Sequence, residues 1–221
     1  MARKTRRHAV PVQNLIEKDV SYVRFLHGVP TVPTVDLYAD GQLIYSGLSY
    51  GDVTPYLKLP AGNVLITIYR TGTNDDLIGF LNVNLPEGSI FTVVGIGFPS
   101  RLEVLQVPDT VPPPQSGTSS FLRFVNLASD APPMDLTVDG MQTILQNVAY
   151  KDISLYRRLT PGEHILDFSA SASGLRILPP FPIDLDPAML YTVYIVGFND
   201  GENADREIVI LTDGLLENGE V

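Results

Sequence analysis

The chain states most of its structure twice. Residues 22–41 read YVRFLHGVPTVPTVDLYADG, and residues 121–140 read FLRFVNLASDAPPMDLTVDG. Arg24, Phe25, Pro33, Asp36, Leu37, Asp40 and Gly41 return as Arg123, Phe124, Pro132, Asp135, Leu136, Asp139 and Gly140, 99 positions later. The separation then grows by one: Tyr50, Asp52, Tyr56, Leu59 and Gly62 return as Tyr150, Asp152, Tyr156, Leu159 and Gly162. FTVVGIGF at 91–98 returns as YTVYIVGF at 191–198. A unit of this length occurring twice makes two domains of one kind, not a solenoid of short repeats. Length agrees, since 221 residues hold two cores of ordinary size.

Each unit reads as strands. YVRFL, VDLYAD, NVLITIY, IGFLNVNL and IFTVVGIGF alternate or form short β-branched and aromatic runs bounded by Gly, Pro, Asn or Asp. Asp40-Gly41 and Asp139-Gly140 sit between apolar runs and predict tight hairpin turns, because Gly accepts positive φ. Leu59-Pro60-Ala61-Gly62 and Leu85-Pro86-Glu87-Gly88 mark further turns, with counterparts near 159–162 and 185–188. No sustained helical period occurs; residues 14–19 could start a short helix at most. Residues 107–120 join consecutive prolines to a Ser/Gly piece, the composition of a spacer. The expected fold is all-β: two tandem Ig-like antiparallel β-sandwich domains joined by a Pro-rich linker. The expected division is an N-terminal arm over 1–19, a sandwich over 20–107, a linker over 108–119, a second sandwich over 120–213 and a tail over 214–221.

The repeat also predicts which side chains face inward. Val35, Leu37 and Ala39, and Met134, Leu136 and Val138 in the second copy, belong to the core, with Asp36, Tyr38 and Asp40 outward. Arg24 and Arg123 stand one strand earlier and are expected to pair with an aspartate across the sheet as a minor fold detail. Tyr50, Asp52 and Tyr56 with their counterparts admit two readings: a sugar-stacking platform, or edge tyrosines with hydroxyls tied to backbone. The second is preferred.

These recurring residues carry a resemblance. The run from Phe25 to Asp36, the run from Phe124 to Asp135, the later Y-x-D-[VI]-[ST]-x-Y and the Gly-bearing turn resemble the DUF4397 family over nearly all of residues 20–213. That resemblance implies Ig-like sandwich modules, often in tandem, in bacterial surface or secreted proteins, with no activity and no catalytic positions. The charged start lacks the apolar stretch of a secretory signal, since Pro11 interrupts it. The expectation is therefore a bacterial cell or spore surface, with signal-independent deposition as the route.

Reactive chemistry is sparse in the sequence. There is no cysteine, which removes disulfides, thiolate metal sites and a cysteine nucleophile. His8, His27 and His164 show no zinc spacing. No G-x-S-x-G elbow is present, and Gly95-Ile96-Gly97 lies within a strand, not before a helix. An enzyme is not expected. Weak calcium candidates are Asp200, Glu202, Asn203 and Asp205 in one oxygen-rich loop, which also reads as a plain hydrophilic turn. No other cofactor is expected.

Charge argues against nucleic acid. Net charge is −10, although Arg3, Lys4, Arg6 and Arg7 make a basic start. No apolar run is long enough to cross a membrane as a helix. The expected role is a non-enzymatic structural protein that assembles with itself or other surface proteins. Sheet edges and the N-terminal arm would make the contact, with Val10, Val12, Leu15 and Ile16 as an added strand. A glycan or cell-wall-polymer binding module using Tyr38, Tyr45 or Tyr50 is the alternative.

Overall fold

The computed structural model describes residues 9–11, 17–98, 101–109, 118–198 and 206–217. Every regular element among them is a strand. In chain order these are β1 (Ala9–Pro11), β2 (Val20–His27), β3 (Val35–Ala39), β4 (Gln42–Leu48), β5 (Leu57–Pro60), β6 (Gly62–Arg70), β7 (Leu77–Leu85), β8 (Ile90–Phe98) and β9 (Arg101–Pro108). The second half supplies β10 (Ser120–Asn126), β11 (Met134–Val138), β12 (Gln142–Val148), β13 (Arg157–Leu159), β14 (Gly162–Ala170), β15 (Phe181–Leu185), β16 (Leu190–Val196), β17 (Glu207–Thr212) and β18 (Leu215–Glu217). No helix among the described residues is long and apolar enough to cross a membrane.

Each half is a sandwich of two four-stranded sheets. The first pairs β4-β3-β6-β7 with β5-β2-β8-β9; the second pairs β12-β11-β14-β15 with β13-β10-β16-β17. The β2–β8 and β10–β16 ladders are parallel, so the sheet containing each is mixed while its mate is wholly antiparallel. The Asp-Gly turns close β3–β4 and β11–β12 as expected. Asp40 and Gly41 have φ of 47° and 83°, the two positive values that match strand twist in a two-residue hairpin, and Asp139 and Gly140 have 54° and 64° in a loop one residue longer, closed by Val138 opposite Gln142.

Each sandwich has its own core. Val35, Leu37 and Ala39 are buried in one, and Met134, Leu136 and Val138 in the other, as the alternation predicts. Asp36, expected outward, is instead buried. Its Oδ1 accepts from Ser46 Oγ at 2.7 Å, Gly47 N at 2.9 Å and Thr71 Oγ1 at 2.9 Å, and its Oδ2 from Gly72 N at 3.1 Å. Burial opposes ionisation there, but these four donors outweigh it and hold the carboxyl below its ordinary range.

A third apolar cluster lies between the sandwiches. Leu26, Val94, Ile96 and Val107 of the first pack with Val125, Leu127, Tyr194, Val196, Val209 and Leu211 of the second. Strand alternation explains it. On β16, Tyr191, Val193 and Ile195 fill the sandwich core, while Tyr194 and Val196 enter the shared cluster. On β2, Val23 and Phe25 face the core and Leu26 faces the partner domain. Both inner sheets are therefore covered on both faces, giving four stacked layers. The two domains pack face to face through their inner sheets, not end to end across a spacer.

Candidate functional site

The buried charges converge at this domain junction. Arg24 on β2 and Arg123 on β10 each reach the other domain. Arg24 Nε donates to Thr92 Oγ1 at 2.7 Å, Nη1 to Thr212 O at 2.9 Å and Nη2 to Asp213 Oδ1 at 2.7 Å. Arg123 repeats the pattern with Thr192 Oγ1 at 2.7 Å, Pro108 O at 2.9 Å and Asp109 Oδ1 at 3.1 Å. Each aspartate is held by its own domain. Asp109 Oδ2 accepts from Tyr56 OH at 2.6 Å and Thr92 Oγ1 at 2.7 Å. Asp213 Oδ2 accepts from Tyr156 OH and Thr192 Oγ1, both at 2.5 Å. The guanidinium carbons of Arg24 and Arg123 lie 4.6 and 4.8 Å from the ring centres of Tyr56 and Tyr156. The junction thus behaves as a pseudo-twofold, self-complementary interface within one chain.

Backbone geometry places the carboxylates. Asp109 N donates to Ile90 O and Asp213 N to Leu190 O, each at 2.9 Å, so both residues close the final edge strand of their sheet. Counted with the linker by composition, Asp109 is in fact buried at the centre of the molecule. The expected pairing of each arginine with an aspartate of its own sheet is present at longer range, Arg24 to Asp109 at 3.3 Å and Arg123 to Asp213 at 3.5 Å, and the shorter contacts cross to the other domain. Asp36 and Asp135 are occupied by loop donors, while Arg24 and Arg123 cross to the opposite domain. Sequence reading missed Asp109 and Asp213 because the longer β16–β17 loop shifts their separation to 104 residues. The shared signal was an aspartate immediately after each closing strand, in VPD and LTD.

The electrostatics suit a closed lock. Two arginines face two aspartates, so formal charge cancels. Burial, with Asp213 adding and Arg24 opposing, pushes the Asp109 carboxyl up to about 6. Burial likewise pushes the Tyr56 and Tyr156 phenols well above their ordinary value, with the nearby carboxylates adding. Tyr194, fully buried beside the cluster where the first domain has Val94, has a hydroxyl without a hydrogen-bond partner among the described residues. None of these groups faces an open cleft; they bind and orient one another.

The other candidates disperse. Val10 lies in β1, which pairs antiparallel with β18 of the same chain, Val10 opposite Leu216. Val12, Leu15 and Ile16 lie outside the described residues, as do Asp200, Glu202, Asn203 and Asp205. Of the three tyrosines suggested for glycans, Tyr45 packs against the first core and Tyr50 against the junction, its hydroxyl 3.4 Å from Val196 O. Tyr38 stays on the outer sheet, edge-to-face with Tyr69 at 5.5 Å. His27 does the same work as Asn126. Its Nδ1 accepts from Val29 N at 3.4 Å, as Asn126 Oδ1 accepts from Ala128 N at 3.2 Å. Tyr56 and Tyr156 are structural as preferred, though their hydroxyls bind carboxylates instead of backbone.

Among solved structures, the chain is similar to "The Bacillus anthracis TIE protein" at 10% identity and a TM-score of 0.26. That match covers 81% of this chain and 33% of the other, so this chain spans about a third of its length. It is similar also to the structure titled "Alpha-glucan binding by a streptococcal virulence factor", at 12% identity and a TM-score of 0.27, covering 86% of this chain and 96% of that one. No curated protein matches the sequence. A family profile, described as "Domain of unknown function (DUF4397)", matches twice, over residues 21–136 and 120–219. With both copies of the repeat matched in this way, the chain belongs to the DUF4397 family.

Proposed function

We propose that the chain is a non-enzymatic structural protein of a bacterial cell or spore surface, acting as one stiff block of two sandwiches. The observation that carries this reading is the reciprocal lock. Arg24, Arg123, Asp109 and Asp213, all deeply buried, fix one domain against the other and present no reactive group outward. A building block needs a fixed shape, and this junction supplies it. Linkage between blocks would come from the terminal strands. The β1–β18 ladder joins residues 9–11 to residues 215–217 of one chain. Made instead with the tail of a neighbour, the same ladder joins copies into an open array. Sedimentation velocity and negative-stain microscopy test this. Full-length protein is expected to polymerise and a variant lacking residues 1–19 to remain single; a strictly monomeric full-length protein overturns the reading.

A second reading is a glycan or cell-wall-polymer binding module, favoured by one surface. Tyr38, Thr67 and Phe80 lie in a row across β3, β6 and β7, with Tyr69 against Tyr38. Phe80 is 68% exposed. The corresponding β11–β14 pair in the second domain is Thr137 and Asp167, with no aromatic. Aromatic faces of this kind stack on sugar rings. A glycan array with wild type and Tyr38→Ala checks it: hits weakened by the substitution support binding, and an array without hits removes it.

A further inference from the structure

At one end of the first sandwich, between edge strands β7 and β9, a cavity of about 490 Å³ remains open. That size lies within the roughly 300–1,000 Å³ of small-ligand pockets. The second sandwich repeats the same strands and fills the same place. The parallel ladders fix the correspondence: His27 pairs with Gly95, and Asn126 with Ile195. Gly95, Ile68 and Val35 line the cavity. Their counterparts Ile195, Phe168 and Met134 are fully buried in the second core.

The fold does not require the opening. A Cβ placed on Gly95 would meet nothing nearer than Leu26 O at 3.9 Å. Unfilled apolar volume destabilises a core in proportion to its size, and the second copy shows side chains that remove it. The wall chemistry selects the occupant. Its side chains are apolar except for His27 and Glu103, and both are engaged: His27 with Pro33 O and Val29 N, Glu103 with Lys151. A polar group brought inside would lose water and find no free partner, whereas a hydrocarbon loses nothing. Leu77 and Phe80, 50% and 68% exposed, continue the apolar surface outward at the mouth.

We propose that this cavity binds the hydrocarbon chain of a small amphiphile or lipid, one per molecule, in the first domain alone. The probe is n-octanol, titrated calorimetrically into the full chain, with n-hexanol and n-heptanol for comparison. One site per chain is expected, with affinity rising about fourfold per added methylene. Gly95→Ile, which copies Ile195, is expected to weaken binding at least about tenfold, with melting temperature unchanged or raised. Ile68→Phe, which copies Phe168, is the second filler should the first fold poorly. Octanoate and phosphatidylcholine vesicles separate the sources: binding of octanoate marks a free amphiphile, and co-sedimentation with vesicles marks a lipid chain. Absence of saturable octanol binding, two or more equal sites, or full affinity in both filled variants overturns the proposal.

Discussion

The two sandwiches share strand order, register and turn positions, yet differ in how completely they are packed. The second core is closed by Ile195, Phe168 and Met134, whereas the first holds Gly95, Ile68 and Val35 around an open end. Edge strand β7 runs nine residues and exposes Leu77 and Phe80, while β15 runs five and is preceded by Pro179 and Pro180. Proline lacks the N–H that a pairing strand needs, so the second edge is blunted. At the junction the copies play equivalent parts, each lending an arginine and receiving one. The comparison separates what the fold requires, which is duplicated, from what it leaves free, which differs.

Breaking the lock is expected to have the largest effect. Arg24→Ala takes from Asp213 its partner at 2.7 Å, leaving Arg123 at 3.5 Å, and Arg123→Ala takes from Asp109 its partner at 3.1 Å, leaving Arg24 at 3.3 Å. Loss of one partner of a buried pair costs about 3–5 kcal/mol. Urea unfolding should show a comparable loss in both variants, larger for Arg24, whose contact is 2.7 Å against 3.1 Å. The double variant should lose less than the two single losses added, because all four charges form one network. A loss under about 1 kcal/mol in both, the range of exposed pairs, would mean that the apolar cluster alone holds the domains together.

The packing difference can be sharpened by exchanging residues. Ile195→Ala opens the second core and is expected to cost about 2–5 kcal/mol. Gly95→Ala does the reverse, adding a methyl group to open space and stiffening the unfolded chain, a gain of about 0.5–1 kcal/mol. Opposite signs at equivalent positions are the expected outcome of thermal unfolding. Equal destabilisation would mean that the first core is closed in solution.

The duplicated features were the legible ones. Turn residues and inward alternation are local, and each occurs twice, so the strands and two separate cores follow from VDLYADG and MDLTVDG directly. The junction was less legible, because it depends on faces and not on strands. Its signal was LYTVYIV, apolar or aromatic on both faces except for Thr192, and every residue of it is buried. A strand with one wet face alternates; this one does not. Asp109 was hidden by its proline-rich surroundings, which read as spacer although the residue is pinned to Ile90. The cavity was hidden for another reason: Gly95 fits a strand pattern as well as Ile195 does, and only the packed structure shows the space left beside it.

Acidity offers a smaller and graded test. His164 stands where the first domain has Val64, its Nδ1 2.8 Å from Asp139 Oδ2 and its Nε2 2.8 Å from Thr160 O. Burial lowers its pKa, but the bonds to Asp139 and Thr160 outweigh this, so the folded imidazole titrates above 6.5. The stabilisation is complete below that pH and is lost as pH rises through the folded value. Asp109 acts in the same direction at lower pH. Its folded carboxyl titrates near 6 against an ordinary 3.8, so its contribution is complete below 3.8 and gone above 6. These two groups make melting temperature decline from mildly acidic to mildly alkaline pH, against His27, whose burial lowers its pKa and whose contribution is gained as pH rises toward 6.5. His164→Val should flatten the upper part of that decline and leave the lower part; an unchanged profile would show that His164 is not its source.

The smallest expected effect isolates a single backbone angle. Gly88 and Ala188 occupy the same turn with φ of 66° and 62°, and their amides make equivalent bonds, to Val20 O at 2.8 Å and Ser119 O at 2.9 Å. Only the side chain differs. A left-handed conformation costs a residue with a Cβ about 1–2 kcal/mol, partly offset by the greater freedom glycine has when unfolded. Ala188→Gly should gain up to about 1 kcal/mol, and Gly88→Ala should lose a similar amount. Because hydrogen bonding is matched, opposite and equal shifts in urea midpoint would assign the difference to φ. Shifts of the same sign would place it in the neighbours, Glu87 against Pro187, which also distinguish the two turns.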